Sequence, residues 1–552
     1  MGTYFSKRSW CEACLVFGSG VVLAALLTFP LVTRMDRVAR AENSDGQFSL
    51  WNVAWVARTL VSDPGDLFDA NIFYPHRSTL AFSEHNLAAG FLAAPVYWAT
   101  GNPYLALNVV FFIALALALA GAYYLVRYLT ADRRAAAIAG ICFAFCPYFF
   151  GRTSHIQLLL TAGLPFSLLA FHRLADQPTW RRGLVLGLVV GAQATASGYY
   201  AILTVLMIGF AAIVIAVTRR SWSDPRYWGA LALAGAVTLA IALPMFLPYL
   251  RLQRDAGFGR TLEEAALYSA DWRAYFASSA VAHRWMQGLI GRWSEVLFPG
   301  FLATLGGLAA LAVGWRRGSR AREILVLYAA LGTLAFWASL GPDAGLYTAL
   351  YRGVPLLAWL RAPARFGIVV PLALTVLLGM AVSWWLSRGP RADFRAALLA
   401  AAAALELTTP LHFREAPAVA PAYRLLASLP VGPVIEMPFL AREADLHGHA
   451  KYMLHSTFHW MPLINGYSDY IPAGFVERAR ILRGFPSREA FNLLADDPPR
   501  YAVFHPQMYR DPALLKQRLR EFSSCLKPLH TAGETHLYEV LQCRETVVAA
   551  GD

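Results

Sequence analysis

Glu42-Asn43-Ser44-Asp45-Gly46-Gln47 follows the first apolar stretch of this 552-residue chain, which runs from about Cys14 to Val32, and the two together decide how the rest is read. The apolar stretch can span the roughly 30 Å hydrocarbon layer of a bilayer. No small-residue cleavage site follows it, so it reads as a retained span rather than a removed signal peptide. The polar stretch then opens the longest loop of the apolar part of the chain. Asp45 stands just outside the first span, where a carboxylate can act as a general base toward a substrate presented from the membrane.

Composition agrees with a membrane protein: 57% of residues are hydrophobic, 13% aromatic and 15% charged, against about 25% charged in soluble domains. The net charge of +13 does not indicate nucleic acid, because much of it lies in short clusters between apolar segments. Lys7 and Arg8 precede the first span. Further clusters are Arg127 with Arg133 and Arg134, Arg173 with Arg181 and Arg182, Arg219 with Arg220, Arg316 to Arg322, and Arg388 to Arg395.

Placing every cluster in the cytoplasm requires an even number of crossings between neighbouring clusters. Apolar segments near 104–127, 135–150, 156–172, 183–198, 201–218, 228–249, 297–316, 323–341, 365–387 and 394–410 meet that condition. The short segment 87–100, with Pro95, then has to be re-entrant or interfacial. The expectation is a polytopic α-helical membrane protein of about eleven transmembrane helices, N-terminus inside, in a bacterial inner or an ER-like membrane. Its membrane domain covers residues 1–412, with outer loops 34–103 and 250–296. Residues 413–552 form a C-terminal extracytoplasmic α/β domain, with strands at Val434 to Pro438 and Tyr501 to Phe504 and amphipathic helices at Arg478 to Arg483 and Leu514 to Phe522.

With this topology the unusual polar residues gather on the outer side. The first outer loop carries Asp45, Trp51, Trp55, Glu84 and His85; later outer turns carry His155, Tyr199, Tyr200, Arg254, Asp271, Arg361 and Arg365. Such a face suits group transfer from a lipid phosphate: a carboxylate accepts a proton, arginines hold the leaving phosphate, and aromatic rings stack on sugars or line the interface. Trp51, Trp55, Tyr199 and Tyr200 also fit an interfacial aromatic belt, and Asp45 fits a cap on the helix that follows it. The C-terminal domain has a histidine cluster, His447, His449, His455 and His459. On one helix His455 and His459 would share a face at zinc-ligand spacing, yet no cysteine or carboxylate completes a set, so His459 is read as facing a cavity instead. Of six cysteines, Cys11 and Cys14 lack a second pair for zinc, while Cys525 and Cys543 can join in an oxidising compartment.

The chain resembles the GT-C superfamily of polytopic membrane glycosyltransferases. The likeness is carried by Asp45-Gly46 with Trp51 and Trp55, by Leu67-Phe68-Asp69-Ala70-Asn71-Ile72-Phe73-Tyr74-Pro75, and by Phe143 to Tyr148 with His155. Ser197-Gly198-Tyr199-Tyr200, Tyr268 to Asp271, Leu297-Phe298-Pro299-Gly300, Arg361 to Phe366 and Asn465-Gly466-Tyr467 complete it. The resemblance implies a catalytic carboxylate in the first outer loop, at Asp45, with Glu84 as a second acidic residue and Asp271 behind it. It implies a polyprenyl-phosphate sugar donor and a lipid, glycan or protein acceptor. Asp45 has no Asp two residues away, the pattern of metal-dependent members, and only Glu42 lies within a helical turn; a divalent metal is therefore not favoured as a cofactor, and no other cofactor is implied. Substrate contacts then fall to His85, His155, Tyr199, Tyr200, Arg254, Asp271, Arg361, Arg365, His459, Asn465 and Tyr467. A lipid-linked glycan flippase needs charges at mid-membrane depth, for which Glu406 is the main candidate. A non-catalytic membrane scaffold is the third reading.

Overall fold

The structure, a computed structural model, describes residues 7–257, 259–291 and 295–541. Among the described residues eight helices are long and apolar enough to cross a membrane: Ser9–Leu27, Pro103–Thr130, Arg133–Gly151, Ile156–Asp176, Gly198–Thr218, Pro225–Ala256, Ser319–Ser339 and Pro363–Leu386. The protein is thus a multi-pass membrane protein. The other three expected crossings form shorter helices, Trp180–Ala196, Phe301–Gly314 and Ala392–Glu406, of 17, 14 and 15 residues. Segment 87–100 forms the 14-residue helix Leu87–Thr100.

The chain divides into two compact units. The first comprises Met1–Met35, Asn86–Ala89 and Asn108–His412; the second comprises Asp36–His85, Gly90–Leu107 and Phe413–Asp552.

In the first unit, helices approach closely where side chains are small, as expected where lipid supplies no hydrophobic drive between them. Gly183, Gly187 and Gly191 line one face of Trp180–Ala196 against Pro225–Ala256. A Cβ at Gly187 would lie 2.6 Å from the Ala234 carbonyl oxygen. Glu406 does not sit at mid-span: it ends the Ala392–Glu406 helix. Its carboxylate accepts from the backbone N–H groups of Phe301 and Leu302, at the start of Phe301–Gly314, and meets His283 Nε2 at 3.1 Å. A carboxylate at a helix N-terminus satisfies orphan donors and the positive end of the dipole, so Glu406 has a structural occupation.

In the second unit, strand β1 (Val38–Ala39) pairs antiparallel with β2 (Arg414–Glu415), Val38 opposite Glu415. A four-stranded sheet follows in the order β3 (Val434–Met437), β4 (Tyr501–Phe504), β6 (His536–Val540), β5 (Leu526–His530), with β3 and β4 parallel and the other pairs antiparallel. Every residue of β3 and β4 is buried, which accounts for the apolar run of β4 and for the apolar residues flanking Glu436 in β3. β5 is an edge strand carrying Lys527 and Pro528, as edges do. Cys525, just before it, is disulfide-bonded; Cys543 lies outside the described residues.

The glycine contact gives a signed expectation. Gly187→Ala drives a methyl group into the Ala234 carbonyl and lowers stability by about 1–3 kcal/mol. Gly209→Ala, on helix Gly198–Thr218 with nothing within 4 Å of the new methyl group, gains about 0.5–1 kcal/mol from helix propensity. Thermal unfolding of the two variants in detergent checks the opposite signs.

Candidate functional site

In the second unit, the helix Ser44–Ser62 starts where the sequence places it, but Asp45 is not its cap. Asn43 is extended and its side chain accepts from the Gly46 N–H at 2.9 Å. Asp45 is the second helical residue and half-buried. Glu42 lies before the helix and pairs with Arg40 at 2.8 Å, so no helical turn brings it beside Asp45. Gly46 is required by close approach: a Cβ there would lie 1.9 Å from the Arg40 carbonyl oxygen.

Along this helix, Phe48 meets the edge of the Tyr467 ring, centroids 6.2 Å apart, which sets Tyr467 one turn from Asp45. Asn52 donates to the Glu84 carbonyl at 3.1 Å. Asn52 is two turns beyond Asp45, so Glu84's backbone runs about 10 Å along the helix from it. Trp51 and Trp55 are neither belt nor sugar platform. Both are buried, donating to Asn71 Oδ1 and to the Leu67 carbonyl. Asn71 in turn donates to Ser456 Oγ and the Met461 carbonyl.

Two of the quoted motifs are stitched together by backbone bonds: Leu463 N–H to the Asn71 carbonyl, Tyr74 N–H to that of Leu463 and Phe73 N–H to that of Asn465. Gly466 faces the Phe73 ring, which would sit 2.6 Å from any Cβ. Asn465 is fully buried and spends its amide on both backbone groups of Glu436 and on His449 Nδ1. That removes it from the substrate-contacting role read from sequence.

The histidines build a core rather than a metal face. The helix Ala450–Ser456 ends before His459, so His455 and His459 do not share a helical side. Tyr423 hydroxyl lies 2.8 Å from Glu436 Oε1, 2.9 Å from His455 Nδ1 and 3.2 Å from His505 Nε2, and His505 Nε2 lies 2.8 Å from Glu436 Oε2. His459 stacks on Tyr423, centroids 5.9 Å apart, and its Nδ1 accepts from the Met461 N–H. Among the described residues no group of three His, Cys, Asp or Glu is placed to hold a metal ion. Burial pushes the pKa of His85 and His449 down to about 4, and those of His455 and His459 to about 3. It also drives the Tyr423 hydroxyl well above its usual range, with Glu436 adding to the effect.

In the first unit, five motifs meet at one end of the helices. Arg361 N–H donates to Tyr199 hydroxyl at 3.1 Å, and the Arg365 guanidinium lies 3.7 Å from the Tyr199 ring centroid. The Arg361 guanidinium lies 5.0 Å from the Tyr268 ring, and the Tyr268 carbonyl accepts from Ala364 N–H. Tyr200 is fully buried, its hydroxyl 2.7 Å from that of Tyr148 and bonded to the Leu158 carbonyl. Arg152 lies over Tyr148 and pairs with Glu295. His155 is three residues on, its N–H bonded to the Arg152 carbonyl. Leu297 N–H bonds to the Ala274 carbonyl.

Among the described residues no carboxylate pairs with Arg365. Arg254 is exposed in the last turn of Pro225–Ala256. Asp271 is exposed and caps the next turn, accepting from the Ala274 N–H at 3.0 Å. Sequence reasoning missed Tyr148 as the partner of Tyr200, Tyr268 as the ring under Arg361, and Glu295 as the partner of Arg152. Their signal was position beside Cys146-Pro147, Ser269 and Leu297 in motifs already quoted. An apolar groove of about 780 Å³ runs between helices Gly198–Thr218 and Pro225–Ala256, ending at Phe246, Leu250, Leu356 and Trp359. Phe246 and Trp359 stack there, centroids 6.4 Å apart, and Trp359 stands two residues before Arg361.

Residues 84–248 match the family model described as dolichyl-phosphate-mannose-protein mannosyltransferase. The arabinofuranosyltransferase AftD from Mycobacteria aligns with 98% of this chain at 14% identity and a TM-score of 0.59, this chain spanning 42% of it. The oligosaccharyltransferase AglB from Archaeoglobus fulgidus, solved with an inhibitory peptide and a dolichol-phosphate, aligns with 99% of this chain and 76% of its own, at 15% identity and a TM-score of 0.50. No curated protein matches the chain by sequence. The fold of this chain is thus similar to that of these two membrane enzymes, as the GT-C resemblance read from the sequence implies.

The buried histidines make stability pH-dependent. Each ring is neutral in the fold, whereas in the unfolded chain it takes up a proton below about pH 6.5. The unfolded state therefore binds more protons, and stability falls as pH drops from about 6.5 toward 4, by roughly 2 kcal/mol per ring at pH 5. Thermal unfolding at pH 7 and pH 5 checks this; an unchanged midpoint contradicts neutral burial of His85, His449, His455 and His459.

Proposed function

We propose that the protein transfers one sugar from a polyprenyl-phosphate donor to an acceptor on the extracytoplasmic face of a bacterial plasma membrane. The observation that carries this reading is the pairing of Arg361 and Arg365, backed by the rings of Tyr268 and Tyr199, with the apolar groove that ends at Trp359. Guanidinium groups with an aromatic backing hold a phosphate bidentately, and the apolar groove ending at Trp359, two residues before Arg361 in the chain, accepts the prenyl chain. The ligand this combination fits is an anionic head on a long apolar tail.

In the reaction proposed, the acceptor hydroxyl oxygen attacks the anomeric carbon as the bond from that carbon to the phosphate oxygen breaks. The bonding pair leaves with the polyprenyl phosphate, whose charge Arg361 and Arg365 neutralise. The hydroxyl proton passes to Asp45, with Glu84 as the second acidic residue. Tyr467, beside the first turn of the Asp45 helix, contributes to acceptor recognition; His155 and Arg254 contribute to the donor side. The acceptor class is a lipid-linked glycan, lipid A, a cell-wall polymer or a protein. Eleven crossings, three of them by the shorter helices, place the N-terminus in the cytoplasm and residues 413–552 outside. The disulfide at Cys525 supports that sidedness, since such bonds persist in oxidising compartments.

The test is transfer of labelled sugar from a panel of polyprenyl-phosphate donors by purified protein in lipid vesicles. Because Asn43 caps the helix, Asp45→Asn leaves the helix start in place, and it is expected to lower turnover by about 10²–10⁴-fold. Arg365→Ala is expected to raise the donor KM about tenfold or more, through loss of charge-assisted bonds. Equal turnover of wild type and Asp45→Asn removes Asp45 from catalysis, and transfer from no donor overturns the reading.

A further inference from the structure

Residues 262–290 of the first unit join the Pro225–Ala256 helix to Phe301–Gly314 and expose an unusual set of side chains. Leu267 is 78% exposed, Trp272 58%, Phe276 47%, Val281 48%, Trp285 61% and Leu289 77%. They belong to short elements whose other side is already packed. In the helix Arg284–Ile290, Met286 and Ile290 are buried while Trp285 and Leu289 point outward. In the turn Trp272–Tyr275, Ala274 is buried while Trp272, and Phe276 just after the turn, point outward. A helix that is apolar on its buried side and on its free side is not built for water. The described part of the C-terminal segment is different: its exposed large apolar residues are Val431, Ile481, Met508, Leu514 and Leu541, with no tryptophan or phenylalanine among them.

The exposed face continues into the surface of the helix bundle. Trp285 stacks on Phe301, rings within 4° of parallel and 6.1 Å apart, and Phe301 is the first residue of a helix that exposes Leu305 and Leu308. Val281 N–H bonds to the Thr408 carbonyl, just past a helix that exposes Leu398 and Leu405. Arg273 folds over the Trp272 ring, 5.7 Å from its centroid, and Arg284 stands beside Trp285. Tryptophan beside arginine at the end of apolar helices is the composition of a membrane interface.

We propose that segment 262–290 is a membrane-seated plate. Its outward face, Trp272, Phe276, Trp285 and Leu289, inserts into the acyl region of the leaflet at that end of the bundle, with Arg273 and Arg284 at headgroup level. The occupant is lipid, because the face is continuous with apolar surface that the same helices present to the bilayer. The plate contains Tyr268, whose ring backs Arg361, so its seat sets the depth at which that arginine stands. The inference rests on exposure and packing and is independent of the proposed reaction.

Spin labels attached through Trp272→Cys and Leu289→Cys test it, in full-length protein with Cys11 and Cys14 changed to serine and reconstituted in phosphatidylcholine–phosphatidylglycerol vesicles. Both positions are exposed, so labelling leaves the fold in place; a Leu514→Cys label serves as the reference in water. The expected result is collision with dissolved oxygen several-fold above collision with a water-soluble nickel chelate at positions 272 and 289, and the reverse at 514. Nickel access at 272 and 289 equal to that at 514 overturns the plate. Loss of access to both reagents also overturns it, and assigns the face to a second copy of the chain or another protein.

Discussion

One carboxamide fixes the second unit. Asn71 accepts from Trp51, 20 residues before it, and donates to Ser456 and Met461, 385 and 390 residues after it. All of these bonds are buried, and breaking one leaves a polar group without water or partner at a cost of about 1–3 kcal/mol. Through them the helix that carries Asp45 packs on the helix Ala450–Ser456, although one lies near the start of the chain and the other near its end. The strand-like bonds of residues 71–74 to 463–465 and the pairing of Val38 with Glu415 repeat the same join. The long polar loop after the first span therefore holds its shape as a component of a folded domain, and the position of Asp45 is inherited from it.

The first unit depends on a different balance. Several of its arginines are answered by carboxylates: Arg152 by Glu295, Arg219 by Asp176 and Glu323, Arg260 by Glu264. Arg365 is instead held on the face of Tyr199, an arrangement that fixes the side chain without discharging it. A guanidinium kept ordered and positive on an aromatic face fits the anionic lipid head proposed above. The proposed plate at 262–290 holds Tyr268, whose ring backs Arg361, and the groove ends at Trp359, so the proposed lipid site and the proposed membrane seat fall on neighbouring stretches of chain.

Much of this was legible in the sequence, for identifiable reasons. Long apolar runs show themselves, and so do the buried strands Val434–Met437 and Tyr501–Phe504, because both faces of each are covered. Arg361 and Arg365, four residues apart around Pro363, were readable as a pair; the rings that back them were not, since Tyr199 and Tyr268 lie far away in sequence. Choosing between Asn43 and Asp45 as cap required knowing the first helical residue, and both are good caps. His455 and His459 suggested a shared helical face only while the helix was assumed to run through both. Trp51 and Trp55 looked interfacial because nothing local reveals that distant segments bury them. β5 was missed because an edge strand with Lys527 and Pro528 carries no apolar alternation, and β6 because His536 and Glu539 interrupt its five residues.

The central claim is that Arg361 and Arg365 receive a lipid phosphate. The most direct measurement is an electron cryo-microscopy map of the protein in nanodiscs saturated with polyprenyl phosphate. The account predicts phosphate density in contact with the guanidinium groups of Arg361 and Arg365, with prenyl density running along Trp359 and Phe246 between helices Gly198–Thr218 and Pro225–Ala256. A bare pair of arginines at saturating lipid, or a phosphate bound elsewhere, contradicts it.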